Sequence, residues 1–112
     1  MDHVIAVDFD GCLCENKYPN IGKANDDAIS ALRIKKAEQN KLILWTCREG
    51  ELLEAAVEWC SVRQLTFDAV NDNLPEHIET YANNSRKVYA DEYWDDKAVA
   101  VKYAAKRKDE QK

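Results

Sequence analysis

The first hydrophobic run of the chain ends in two aspartates that are one residue apart. The first strand is predicted at about 3–8; its residues 4–7 are apolar and rich in β-branched side chains, and they lead directly into Asp8-Phe9-Asp10-Gly11. A short continuous apolar run of this kind is typical of a strand buried on both faces of a parallel sheet. The two carboxylates would then lie at the carboxyl end of that strand, where open α/β sheets bind their ligands. This strand end is therefore the first candidate for a functional site.

Strands and helices alternate along the rest of the chain. Further strands are predicted at 42–46, 67–70 and 88–94, and helices at 26–39, 49–63 and 76–83, with a last helix beginning near Lys97. Asn25 is a suitable N-cap for the first helix. The segment between the first strand and this helix is polar and contains Pro19 and Gly22, and neither a strand nor a helix is predicted there. Alternation of this kind predicts an α/β fold, with a parallel sheet of four to five strands and helices on both faces.

Composition limits the classes of function. A chain of 112 residues provides one modest core, so we expect one domain over residues 1–105 and a frayed, charged tail over 106–112. The net charge of −5 argues against a general nucleic-acid binder. The absence of a long apolar stretch argues against a membrane protein. The four cysteines show no zinc spacing and are expected to be free thiols, which predicts a cytoplasmic protein.

Several residues suited to phosphate chemistry follow or precede these strands. Besides the two aspartates after the first strand, they are Thr46, Lys87, Asp95 and Asp96. The carboxyl ends of parallel strands share one edge of the sheet, so these side chains can converge. A carboxylate can attack phosphorus, a second can transfer protons, and a hard divalent cation prefers oxygen ligands.

This order of motifs resembles that of the haloacid dehalogenase superfamily of phosphohydrolases. The resemblance covers about residues 3–101 and includes the phrases L-I-L-W-T-C-R-E-G-E-L-L and S-R-K-V-Y-A-D-E-Y-W-D-D, which look like those of very small bacterial and phage members. It implies a single Rossmann-like domain and a Mg²⁺-dependent phosphatase that forms an aspartyl phosphate. The substrate would be a phosphorylated small molecule, nucleotide or macromolecule end.

The resemblance also implies a role for each acid. Asp8 would be the nucleophile and a metal ligand. Asp10 would be the general acid and base, with its backbone carbonyl on the metal. Asp95 would complete the Mg²⁺ site with Asp96 beside it, and we prefer Asp95 over Asp91 because it closes the strand.

Two further positions match the family's pattern and one departs from it. Thr46 would hydrogen-bond the phosphoryl group, and Lys87 would steady both the nucleophile and the phosphate. Cys12 stands where the family usually has threonine, and a thiol is the weaker hydrogen-bonding partner.

Neither the flap segment 14–23 nor the linker 71–86 is long enough for a cap domain, so the resemblance predicts a capless enzyme with an open site. The candidate substrate contacts are Tyr18, Arg48 and Asn71, although Arg48 could equally pair with Glu49 or Glu51. Such an open face predicts low selectivity among small phosphate esters. A homo-oligomer, in which a neighbouring subunit covers the site, is compatible with this arrangement.

The alternative to a phosphatase is a non-catalytic or receiver-like module of the same architecture that binds phosphate or metal. A receiver domain accepts phosphate on an aspartate after a middle strand, where this chain has Thr46 and Asn71 instead. Metal-dependent turnover of a generic aryl phosphate would separate the phosphatase from both alternatives.

Overall fold

The computed structural model describes residues 3–101, which form one α/β domain around a four-stranded parallel sheet. In chain order its strands are β1 (Val4–Val7), β4 (Lys41–Leu44), β5 (Ala69–Val70) and β6 (Glu92–Trp94). Two further strands, β2 (Cys14–Lys17) and β3 (Asn20–Ala24), form a separate hairpin. The spatial order is β5-β4-β1-β6. The chain thus builds the sheet outward from β1 in one direction and then returns to place β6 on the other side of β1. The α/β prediction with four parallel strands is confirmed.

Strand β1 lies at the centre of the domain because its side chains are apolar on both faces. All four of its residues are buried. Ile5 and Val7 join the larger apolar cluster, whereas Val4 and Ala6 join the smaller one on the opposite face. The continuous apolar run seen in the sequence is therefore a strand covered on both sides, as expected for a parallel sheet.

Two amphipathic helices cover the first face. Helix α1 (Asp26–Ala37) buries Ile29 and Leu32, and α2 (Gly50–Val62) buries Ala56 and Cys60. The Asn25 side chain accepts a hydrogen bond from the backbone N–H of Ala28 at 3.2 Å, which confirms the predicted N-cap. Both helices end one or two residues before the predicted boundaries, where helix ends commonly fray.

The opposite face is covered by the segment that includes the short helix α3 (Pro75–Tyr81). Leu74, Val88 and Ala90 are buried there against Val4, Ala6 and Ile43. Val88 and Ala90 were predicted to belong to the last strand, but this strand begins only at Glu92. Their burial comes from packing over the sheet face rather than from pairing within the sheet.

The polar segment after β1, for which no strand was predicted, is an antiparallel hairpin of β2 (Cys14–Lys17) and β3 (Asn20–Ala24). Its residues are mostly exposed, so they show none of the apolar alternation that marks a half-buried strand. A Cβ at Gly22 would collide with the backbone of Glu15, so the close approach of the two strands requires glycine at this position. No cap domain is present within residues 3–101.

The predicted last helix is wrong over residues 97–101, which are not helical. The remainder of that helix and the predicted tail at 106–112 lie outside the described residues. In the described part of the chain, no helix is long and apolar enough to cross a bilayer.

Candidate active site

The end of β1 is hydrogen-bonded directly to the end of β6. The backbone N–H of Asp8 donates to the carbonyl of Trp94 at 2.9 Å, which brings residues that are 86 positions apart in the chain into contact. One carboxylate oxygen of Asp8 accepts a 2.8 Å hydrogen bond from the backbone N–H of Phe9, and this bond orients the side chain.

Three carboxylates meet at this edge of the sheet. Asp8, Asp95 and Asp96 each offer an oxygen, and these oxygens lie within 4.8 Å of one another. The cluster lies where the strand order reverses, between the ends of β1 and β6, which is the position at which open α/β sheets bind ligands. Gly11, at φ 86°, passes so close to Asp96 that a Cβ there would collide with its carboxylate. The backbone of the turn after β1 therefore forms one wall of the acid cluster.

Asp91 lies at the other end of the strands. Its carboxylate accepts hydrogen bonds from the backbone N–H of Val4 at 2.7 Å and from the hydroxyl of Tyr89 at 2.8 Å. Val4 begins β1, whereas Asp8 follows its end. Asp95, rather than Asp91, is thus the acid that accompanies Asp8.

The acid cluster is electrostatically unfavourable as it stands. The pKa of Asp8 is raised to about 6 from its ordinary 3.8, because burial and, to a smaller extent, the negative charges of Asp95, Asp96 and Asp10 outweigh the lowering effect of the hydrogen bond from Phe9. Within residues 3–101 no cationic side chain pairs with Asp8, Asp95 or Asp96. A partly buried carboxylate this close to two exposed ones favours either a proton or a bound cation.

The donor set suits a hard divalent cation. Mg²⁺ takes oxygen ligands and retains several waters, so it needs only one or two carboxylates from the protein. Asp8, Asp95 and Asp96 provide such oxygens, and a bound cation would offset both the burial and the neighbouring negative charges that raise the pKa of Asp8. The carboxylate of Asp10 is not part of this group.

Asp10 is instead bound by Arg48 through both carboxylate oxygens. Nε and Nη2 of Arg48 donate to the two oxygens at 2.8 Å each, in a side-by-side pair. Arg48 is only 1% exposed, and the bond to Asp10 is the largest cause of its raised pKa. Such a bidentate pair fixes the orientation of the carboxylate as well as its charge.

The remaining donors of Arg48 hold the hairpin in place. Nη1 and Nη2 donate to the carbonyls of Pro19 and Asn20 at 3.3 and 3.0 Å, and Nη1 also approaches the carbonyl of Leu52 at 3.5 Å. The same guanidinium lies over the ring of Tyr18, with its carbon 5.2 Å from the ring centroid, and the Tyr18 side chain is otherwise exposed. Arg48 thus forms no pair with Glu49 or Glu51, and its donors are engaged by the protein itself rather than left for a substrate.

Thr46 and Asn71 are joined to each other. The backbone N–H of Thr46 donates to the side-chain oxygen of Asn71 at 2.7 Å, and the Asn71 amide donates to the carbonyl of Arg48 at 3.2 Å. Asn71 has a left-handed backbone with φ 52°, which asparagine tolerates better than most residues. It therefore positions the loop after β4, and Thr46 is the member of this pair that faces the site.

Two depressions open beside Asp8. One, of about 310 Å³, is lined by Asp8, Asp95, Trp45, Thr46 and Cys47. We call it the polar depression. The other, of about 320 Å³, shares Asp8, Trp45 and Asp95 and continues to Lys87, Tyr93 and Val99. We call it the aromatic depression. The structure therefore brings Thr46 and Lys87 to the same site as the acids, as expected from the sequence.

Aromatic residues were not among the site residues predicted from the sequence. Trp45 and Trp94 are partly buried against the core, and both also line the aromatic depression together with Tyr93. Their location directly at or before the strand ends was the available signal, since that edge of the sheet was already the predicted site.

Cys12 lies beneath the acids rather than among them. Its thiol is directed at the carbonyl of Trp94 at 3.6 Å, and burial, followed by the charge of Asp8, raises its pKa to about 11. The thiol therefore stays protonated at neutral pH and supports the junction of β1 and β6.

Comparison with known proteins shows that the chain is similar to one solved structure. A search of family models found no match, and no curated protein is significantly similar. The structure of a conserved protein of Bacteroides thetaiotaomicron matches with a TM-score of 0.79 and 44% sequence identity, over 88% of this chain and 79% of that chain. At this identity and coverage, the chain belongs to the same protein family as that conserved Bacteroides thetaiotaomicron protein.

Proposed function

We propose that this protein is a Mg²⁺-dependent phosphohydrolase of the haloacid dehalogenase type, which hydrolyses a phosphate monoester through an aspartyl phosphate on Asp8. One observation carries the proposal: Asp8, Asp95 and Asp96 converge at the switch point of the sheet, beside a depression lined by Thr46. Acid groups, a hydroxyl and the nearby Lys87 are the set that phosphoryl transfer requires.

Each residue has a distinct task in this reaction. An oxygen of Asp8 attacks phosphorus, and the bond from phosphorus to the ester oxygen breaks. Thr46 and Lys87 stabilise the charge on the phosphoryl oxygens. Asp8, Asp95 and Asp96 would hold Mg²⁺, which when bound neutralises charge on the phosphoryl group. Water then attacks the aspartyl phosphate, releasing phosphate and restoring Asp8.

Asp10 acts as the acid and base of the reaction, and Arg48 is its positioning residue. With both oxygens bound by Arg48, Asp10 is a carboxylate and can take a proton from the attacking water. In the first step a proton on Asp10 passes to the leaving ester oxygen, and in the second step Asp10 takes a proton back from the attacking water, so the protons balance over the cycle.

The proposed location is the cytoplasm, and the proposed partner is the phosphorylated substrate. All four cysteines lie within the described residues and none is in a disulfide, as expected in a reducing compartment. The acidic balance of the chain favours a discrete phosphate ester over nucleic acid bound along its backbone.

The test is turnover of an aryl phosphate with Mg²⁺, comparing the wild type with Asp8→Asn. The amide is a very poor nucleophile, so we expect kcat/KM to fall by at least about a thousandfold. Asp91→Asn makes the same chemical change at the far end of the strands and should keep most of the activity. Acid-quenched wild-type protein should carry a phosphate adduct on Asp8, visible by mass spectrometry.

Other outcomes would reject the proposal. A stable adduct without turnover would favour a receiver-like module, and neither adduct nor turnover would favour a non-catalytic binding protein. Activity in Asp8→Asn above a few per cent of the wild type would exclude Asp8 as the nucleophile.

A further inference from the structure

The aromatic depression is continuous with the site of the acids. Both depressions share Asp8, Trp45 and Asp95, so a phosphate held in the polar depression would have its ester oxygen close to the aromatic one. A volume of about 320 Å³ is at the lower end of small-molecule sites. It is suited to a single compact group rather than to a long chain.

The aromatic rings of this depression are held in place by the fold. Trp45 and Tyr93 form a tilted pair with centroids 5.6 Å apart. The backbone N–H of Trp45 donates to the carbonyl of Val7 at 2.8 Å, and the Tyr93 hydroxyl donates to the carbonyl of Val88 at 2.6 Å. Because these rings are already oriented, little conformational freedom is lost when a ligand binds against them.

Lys87 adds a cation at the edge of this depression. Its ammonium lies 5.6 Å from the ring centroid of Tyr93. An ammonium over a ring face is held by the ring quadrupole. Here it also lines the same depression as Asp8, where it can meet the charge of a bound phosphate.

We propose that the aromatic depression is the leaving-group subsite of the enzyme, and that its substrates are aryl phosphates, which carry the phosphate directly on a planar ring. The proposal rests on the proposed function. A planar ring against Trp45 and Tyr93 gains aromatic contacts beyond its burial, which a saturated group of similar size does not. Because the depression adjoins Asp8, the ring must lie next to the esterified oxygen rather than a sugar away. Selectivity for aryl esters replaces the low selectivity expected of an open face.

Non-hydrolysable phosphonates test this without turnover. In the presence of Mg²⁺, benzylphosphonate should bind at least about tenfold more tightly than methylphosphonate, by calorimetry. Cyclohexylmethylphosphonate has nearly the size of the benzyl compound but no flat ring, so it should bind more weakly. Trp45→Leu keeps an apolar side chain and removes the flat surface, and it should abolish the preference for benzyl over cyclohexylmethyl. Tyr81→Leu, which removes an exposed ring outside both depressions, should leave that preference unchanged.

Each result separates the subsite from the proposed reaction. Equal binding of the three phosphonates by an enzyme that hydrolyses phosphate esters would overturn the subsite and leave the phosphatase standing. A nucleoside monophosphate that binds better than phenyl phosphate would overturn the aryl class. If circular dichroism shows that the Trp45→Leu variant is unfolded, Tyr93→Leu provides the same test through the other ring. Absence of any hydrolysis would refute the proposed function itself.

Discussion

Asp8→Asn should stabilise the metal-free protein at neutral pH while removing its activity. Folding raises the pKa of Asp8 to about 6 from 3.8, chiefly through burial, so the ionised carboxylate destabilises the folded state. That difference corresponds to about 3 kcal/mol at 1.36 kcal/mol per pH unit. Asp8 is half-exposed, and solvent screening reduces the expected gain from Asp8→Asn to about 1–1.5 kcal/mol. The new amide oxygen can still accept the hydrogen bond from Phe9.

The raised pKa of Asp8 also determines how the stability gain of Asp8→Asn should change with pH. A group with a raised pKa contributes stability that is fully present below its unfolded value and is lost as the pH rises through its folded value. The advantage of Asp8→Asn should therefore be small near pH 4 and should develop between about pH 4 and pH 6. Wild-type protein with Mg²⁺ should recover stability, because a ligand that binds only the folded state stabilises it.

Urea denaturation with a chelator, followed by tryptophan fluorescence at pH 4.5 and 7.5, measures both effects. Asp91→Asn is the matched control, and its expected effect on the free energy of unfolding has the opposite sign. The hydrogen bond from the backbone of Val4 is the main cause that lowers the pKa of Asp91, so its neutral variant should be less stable at pH 7.5. An advantage of Asp8→Asn that is the same at both pH values, or absent at pH 7.5, would refute the electrostatic account.

Three further substitutions test the site. Asp95→Ala should weaken Mg²⁺ binding far more than Asp91→Ala in calorimetric titrations, and the reverse order would remove Asp95 from the metal site. Gly11→Ala should impair Mg²⁺ binding and turnover together, because its Cβ would collide with the Asp96 carboxylate at a backbone φ of 86°; unchanged metal affinity would count against this packing. Arg48→Met leaves Asp10 without its buried partner, so it should lower the free energy of unfolding by about 3–5 kcal/mol, measured in urea, whereas a loss below about 1 kcal/mol would show that the pair is unimportant for stability.

Much of the architecture could be predicted because it depends on local patterns. The apolar run before Asp8 identifies a strand buried on both faces, and the stripe on α2 identifies a helix with one buried side. These signals arise from neighbouring residues, so they can be detected in a short window of the sequence. The hairpin carries no such signal, because its strands are mostly exposed and its turn is bound by Arg48, which is distant in the sequence.

The composition of the site was partly predictable for the same reason. The carboxyl ends of parallel strands share an edge, so the convergence of Asp8, Asp95 and Thr46 follows once the fold class is known. The choice of partner for Arg48 does not follow, since Glu49 and Glu51 are near in sequence whereas Asp10 is 38 residues away.

The sequence alone determined the order of the elements and which acids stand at strand ends, because these are properties of short stretches of chain. Only the tertiary structure decided that β1 lies between β4 and β6, that Asp10 is bound by a buried arginine, and that Trp45 and Tyr93 line the site. Each of these depends on surfaces brought together from distant parts of the chain, where burial and hydrogen-bond satisfaction over the whole domain select one pairing among several that are locally acceptable.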